Sequence, residues 1–272
     1  MTNNSYRQSI NEWRAERNES IRRENNWLAL AGLYWLKLGK NLIGSDPKSD
    51  VVLPERLPAS LGYLDYNGNS VTLHASQKIS VNDIETDSCI LQTDNSEPPS
   101  YVKLEDVQFV IIQRGNKFGV RIWDNQREEM RSYPARVWYD IDEKFHVAAA
   151  YTPYPAPRQT QFPDVAGELT ELPVDGYLSF ELNGKPQQLD VNREKDGGFF
   201  IRFSDLTSKD ETYPTGRYLL SETDSDGGIV LDFNKAYNPP CSFTHFATCI
   251  FAPEQNHLDF RVTAGEKYPR QK

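Results

Sequence analysis

The stretch Gly176–Val191, GYLSFELNGKPQQLDV, decides the fold class. Asn183-Gly184 supplies the positive φ that a type I′ turn needs, and the runs Gly176–Leu182 and Gln187–Val191 flank it. The reading is a β-hairpin. Outward from it, Arg136–Ile141, Phe145–Tyr151, Phe199–Phe203, Arg217–Leu220, Ile229–Phe233 and Leu258–Val262 read as further strands. REKDGGFF, from Arg193, reads as another turn, and TPYPAPRQTQFPDVAG (152–167) as Pro-rich extended chain. No repeat of fixed period is evident.

The first half carries the same signal. Short runs recur at Val51–Leu53, Leu61–Leu64, Ser70–Leu73, Ile79–Val81, Ile90–Leu91, Tyr101–Leu104, Val107–Gln113 and Phe118–Trp123. Between them lie turn signals such as SDPKSD, YNGNS, TDNSEPP and RGNK. Many short strands with Gly, Asn and Pro turns indicate sandwiches or barrels. Before them, Ser5 to about Glu24 reads as a helix, with Tyr6, Ile10, Trp13 and Ile21 on one face and Arg17 interrupting the stripe. That pattern suits a helix lying against a protein surface. The charged connector Asp124–Pro134 is the best boundary. The expected organisation is a helix and docking segment over residues 1–39, a β-sandwich over 40–124, and a second antiparallel β-barrel or sandwich over 125–272 that carries the candidate site.

Composition narrows the function. With 39 acidic against 30 basic residues the net charge is −9, so no basic surplus is available to replace phosphate counterions, and nucleic acid and anionic lipid are not expected partners. No apolar run approaches the ~18 residues of a membrane span. The first 25 residues are polar and charged, so no secretory signal is expected. Three cysteines are no dense framework, and the expectation is a cytoplasmic protein with reduced thiols.

Two resemblances have residues under them. Gly44–Asp83 combines a Gly before a polar turn, Ser49-Asp50-Val51-Val52-Leu53, a Gly–strand–turn–strand unit and a late Val81-Asn82, and is similar to the forkhead-associated (FHA) β-sandwich. That family holds phosphothreonine with an Arg after the first Gly and a Ser-Arg-x-His element. Here Ser45 follows Gly44, and Pro58-Ala59-Ser60-Leu61-Gly62 stands at the second element, so phosphothreonine recognition is not expected. The second resemblance spans most of the chain and is strongest over Asp205–Glu266. DLTSKDETYPTGRYL, then DFNKAYNPPC, Cys249 and AGEK resemble the bacterial and archaeal domain-of-unknown-function family numbered 1684. It implies a β-rich protein with no established activity. The chain departs from the pattern at His245 and Ile250, near which the family pattern leads one to expect Pro.

Chemically versatile side chains concentrate in Val230–Tyr268, on irregular backbone between apolar runs. Asp232 and Asn234 alternate on a strand, which aims an acid and an amide at one face. With Arg217, Tyr237, Asn238 and Glu266 they are expected to line one polar pocket, Arg217 anchoring a carboxylate or phosphate and Asp232 with Glu266 supplying acid/base chemistry. The competing reading is a buried structural network of the same residues. Cys241 is a candidate nucleophile, with His245 or His257 as base. Cys241, His245 and Cys249 are also what zinc would use, although no metal is favoured and no cofactor is predicted. A Cys241–Cys249 disulfide and two inert packed thiols stay open beside these.

Two functions follow. One is a small polar or anionic ligand bound, and hydrolysed if the carboxylates act, in the C-terminal β domain. The alternative is a non-catalytic scaffold whose FHA-like module meets a protein partner.

Overall fold

The computed structural model describes residues 3–165, 169–195, 197–224 and 226–268. Its end of the Pro-rich segment, 166–168, and position 196 of the second turn lie outside the described residues. The chain is mainly β with an N-terminal helix, and its contacts form two compact units. One, the N-terminal β unit, is Ser20–Tyr133. The other, the C-terminal β unit, joins the chain up to Glu19 with the chain from Pro134 onward.

The segment 1–39 is therefore divided. Helix α1 (Asn3–Ser20) is shorter than its sequence pattern suggests, because the chain turns at 21–26 and Asn25 adopts φ +56°. Ile10 is fully buried, while Trp13, Arg14 and Arg17 are half-buried. This face packs within the C-terminal unit. Beyond the turn, β1 (Leu30–Trp35) pairs antiparallel with a strand of the N-terminal unit.

The N-terminal unit continues with β2 (Gly39–Gly44), β3 (Val51–Val52), β4 (Gly62–Tyr66), β5 (Val71–Val81) and β6 (Ile84–Leu91). Then follow β7 (Val102–Leu104), β8 (Val107–Arg114) and β9 (Lys117–Asp124). Nine strands form one sheet in the order β1-β9-β8-β7-β5-β4-β2-β3, with β6 on β5, curled toward closure. Alternate residues of β8 and β9, Phe109, Ile111, Val120 and Ile122, fill the apolar core with Leu64, Val71 and Leu73.

The C-terminal unit is built from β10 (His146–Pro163), β11 (Leu169–Leu182), β12 (Lys185–Arg193) and β13 (Phe199–Asp205), then β14 (Arg217–Leu220), β15 (Glu222–Thr223), β16 (Ile229–Asp232) and β17 (His257–Leu258). The order is β14-β13-β12-β11-β10-β16-β15, with β17 beside β13. The hairpin read first in the sequence is β11–β12, with Asn183 at φ +55° and Gly184 at φ +69°. The Pro-rich segment is not isolated extended chain. It belongs to β10 and pairs with β11 on both sides of an irregularity between Pro153 and Arg158, which takes up prolines that have no N–H to give. One expected strand is lost and another is shortened. Arg136–Ile141 is irregular and held by a bridge from Trp138 to Glu266, and Leu258–Val262 shrinks to β17. The core is Leu178, Leu189, Val191, Ile201, Phe203, Leu219, Leu231 and Phe233.

Candidate functional site

Arg217, Asp232, Asn234, Asn238 and Glu266 all lie in the C-terminal unit, none more than 3% exposed. Arg217 shares no hydrogen bond with Asp232 or Glu266, although it stays within electrostatic reach of Glu266. Their side-chain hydrogen bonds fall into separate sets.

Arg217 pairs with Asp205, both side chains 0% exposed. Its Nη2 donates to Asp205 Oδ2 at 2.8 Å and to the Val262 carbonyl at 3.0 Å, and its Nη1 to the Ala264 carbonyl. Asp205 Oδ1 accepts from the N–H groups of Thr207 (2.8 Å) and Val262 (3.1 Å). Asp205 ends β13 and caps the short helical turn Leu206–Lys209 with Ser208, a capping box. That Asp-Leu-Thr-Ser box was the available signal for Arg217's partner. The guanidinium ties three chain segments together and has no access to a ligand.

Asp232 and Asn234 do meet, but not through strand alternation. β16 ends at Asp232, whose Oδ1 accepts the Asn234 N–H at 3.0 Å and so caps the turn Phe233–Lys235. Tyr6 of α1 donates its hydroxyl to both Asp232 oxygens at 3.0 Å. Asn234 Nδ2 donates to the Tyr6 hydroxyl (3.0 Å) and the Asp142 carbonyl (2.9 Å), and its Oδ1 accepts the Asp142 N–H (3.0 Å). Burial pushes the Asp232 carboxyl above its usual range, against the opposing pull of Asn234 and Tyr6. The set fastens α1 to the sheet.

Glu266 accepts from Arg136 Nη1 at 3.3 Å and from the Asn238 N–H at 2.8 Å. Its carboxyl is also raised by burial, with Arg136, Arg17 and Arg217 pulling it down. Asn238 Nδ2 donates to the Lys267 carbonyl at 3.0 Å. Gly265, at φ +80°, lets the backbone pass so close that a Cβ there would stand 2.6 Å from the Ala236 carbonyl oxygen.

Cys241 and Cys249 are free thiols, one half-buried and one 5% exposed. The Cys241 N–H donates to Cys249 Sγ at 3.1 Å. His245 is exposed, and the described residues contain no group of three or more His, Cys, Asp or Glu side chains that would hold a metal ion. His257 bonds to Ser204 Oγ at 3.0 Å, with no bond to Cys241.

The residues that sequence reasoning missed are arginines set among aromatics. Arg17 stacks on Tyr237 (3.9 Å) and lies 5.6 Å from Trp13. Arg14 lies over Trp138 (5.1 Å), and Arg136 over Phe243 (4.7 Å). Tyr237 meets Tyr218 edge-on at 5.9 Å, and Tyr218 lies 5.9 Å from Arg202, which also faces Phe200 at 4.5 Å. Arg202 Nη1 donates to the Asn192 amide oxygen at 2.8 Å. Desolvation pulls Arg202 below the usual guanidinium range, and Glu194 is in electrostatic reach without pairing to it. The signals were Trp13-Arg14 with Arg17 one turn on, and Phe200-Ile201-Arg202-Phe203 on an alternating strand.

Two of the comparisons with known proteins find matches. The solution NMR structure of an uncharacterized protein from Haloarcula marismortui is 31% identical over 52% of this chain and 80% of its own, with a TM-score of 0.42. No curated protein matches. Residues 131–267 match the model of the family described as "Protein of unknown function (DUF1684)". Matched over half its length, from the Glu266 network to the Arg217–Asp205 pair, the chain belongs to that family.

Proposed function

We propose that the chain binds a small anion, a carboxylate- or phosphate-bearing molecule, at the Arg17–Tyr237–Tyr218–Arg202 face of its C-terminal β unit. The observation that carries this reading is Arg202. It is a desolvated guanidinium whose hydrogen bonds go to the neutral Asn192 amide and the Tyr218 hydroxyl, with the rings of Phe162, Phe200 and Tyr218 around it and Glu194 in electrostatic reach but unpaired. A cation in that setting gains when an anion with fork-matched oxygens arrives. The chain has an acidic surplus, yet among the described residues no carboxylate forms an ion pair with it. Arg17, half-buried on Tyr237, adds a second cation to the same aromatic row. The anchor moves from Arg217 to Arg202, and binding is favoured over hydrolysis because Asp232 and Glu266 are enclosed in structural bonds.

Differential scanning with inorganic phosphate and with citrate tests it. Wild type gains about 2.7 kcal/mol at a ligand concentration of 100 Kd, a Tm rise of several degrees, and Arg202→Gln loses the rise. A wild type unmoved by both anions, or an Arg202→Gln that keeps the rise, ends the reading.

A second reading has its own observation. A cavity of about 530 Å³ in the N-terminal unit is lined by Asn82, Asp83, Tyr101, Lys103, Gln108 and Trp123. Lys103, Gln108 and Trp123 are register neighbours across β7, β8 and β9. This cleft supports an interaction module, and a partner lost on Trp123→Ala but kept by Arg202→Gln would favour it.

A further inference from the structure

We infer that Cys241 and Cys249 form a reversible thiol–disulfide site that reacts with low-molecular-mass disulfides of the glutathione class. Cys241 is the attacking sulfur and Cys249 the resolving one. The proposal is independent of anion binding.

The two thiols sit on separate supports that aim them at each other. Pro239 and Pro240 start the turn Pro240–Ser242 that carries Cys241. The Cys249 backbone is pinned to the end of β10: its carbonyl accepts the Val165 N–H at 3.2 Å, Ile250 bridges Asp164, and the Phe251 N–H donates to Pro163 at 2.8 Å. Between these supports the Cys241 N–H reaches Cys249 Sγ at 3.1 Å. With one sulfur already on its partner's backbone N–H, the two side chains are neighbours, and a disulfide requires their sulfurs to close to ~2.05 Å.

Exposure orders the chemistry. Cys241 is half-buried, whereas Cys249 is 5% exposed, so a reagent in solvent meets Cys241 first. Hydrogen bonds from Cys249 and Tyr213 hold the Cys241 thiol below its usual range, although burial opposes them, and the same pairing pushes Cys249 up. Cys241 therefore ionises first. Its thiolate attacks one sulfur of oxidised glutathione, forming a Cys241–glutathione mixed disulfide and expelling one glutathione thiolate. Cys249 then loses its proton and attacks Cys241 Sγ. The Cys241–Cys249 bond forms, the mixed disulfide breaks, and a second glutathione leaves. Two electrons pass to the reagent, and the two thiol protons end on the two released glutathiones. Cys89, on β6, belongs to the other unit, and burial raises its thiol.

The test is thiol counting by mass spectrometry on the folded full chain in a Cys89→Ser background, equilibrated with oxidised glutathione and then denatured and alkylated. Alkylatable thiols are expected to fall from two per chain to none, without bound glutathione, and to return with excess reduced glutathione. Cys249→Ala is expected to retain one glutathione per chain, and Cys241→Ala to retain none. Two alkylatable thiols persisting after oxidation would overturn the site, as would glutathione accumulating on Cys249 in place of Cys241. If either variant fails to fold, the count on the parent chain decides alone.

Discussion

The ion pair Arg56–Asp124 of the N-terminal unit sits at a rim, with Arg56 30% exposed, whereas Arg217–Asp205 of the C-terminal unit has both side chains at 0%. Asp124 takes two bonds from Arg56, and one of its oxygens also accepts the Gln126 N–H. Asp205 and Arg217 are bonded by backbone groups of Thr207, Val262 and Ala264. The N-terminal unit is held by an apolar core, and its buried charges, Arg121 and Asp124, both stand on β9. The C-terminal unit uses charge as internal framework, where water cannot replace a lost partner. Polar density in a sequence thus marks a framework as readily as it marks a site.

The largest expected effect separates the two pairs. Arg217→Ala leaves Asp205 buried without its cation and is expected to cost about 3–5 kcal/mol, while Arg56→Ala costs about 1 kcal/mol. Hydrogen exchange resolved by unit measures both, and equal costs would break the comparison. Glycines give a smaller contrast. Gly265 (φ +80°) and Gly39 (φ +86°) share left-handed backbone, but a Cβ meets the Ala236 carbonyl only at Gly265. Gly265→Ala is expected to cost about 3 kcal/mol and Gly39→Ala about 1 kcal/mol, read from urea midpoints.

Acidity sharpens the comparison with the smallest effect. Asp232 and Glu266 are raised by burial, so their contribution to stability is whole below the ordinary carboxyl range and is lost as pH rises through their raised values. Burial alone would raise Asp124, but Arg56 and the Gln126 N–H outweigh it and hold it low. Its contribution is whole above the ordinary range and is lost as pH falls through the lowered value. Exchange protection in the C-terminal unit should weaken from about pH 4 upward, and that of the N-terminal unit only below about pH 4. Asp232→Asn should flatten the first profile; an unchanged profile would remove Asp232 from the account.

Most of the β architecture was legible because strand alternation and turn residues are local signals. Asn183-Gly184 stated its turn outright, and the two compact units divide between Tyr133 and Pro134. Arg136–Ile141 misled because Val137 and Tyr139 alternate like a strand, yet the segment makes its bridge through Trp138 to Glu266, far along the chain. The site was legible by composition and not by pairing. Asp232 and Asn234 lie together through a turn and not a strand, and Arg217, expected to anchor a ligand's carboxylate or phosphate, pairs with the Asp205 carboxylate of its own chain. Such choices are made in three dimensions, and Tyr6, whose partner Asp232 stands 226 positions away, carried no local sign of it.

That last bond has a consequence for synthesis. α1 leaves the ribosome early, but its anchors Asp232 and Asn234 follow tens of seconds later at about 5–20 residues per second. Ser20–Tyr133 is complete well before then and can fold in the interval. The helix is made well before the strands that seat it, and until they emerge its apolar stripe of Ile10 and Trp13 stays unburied.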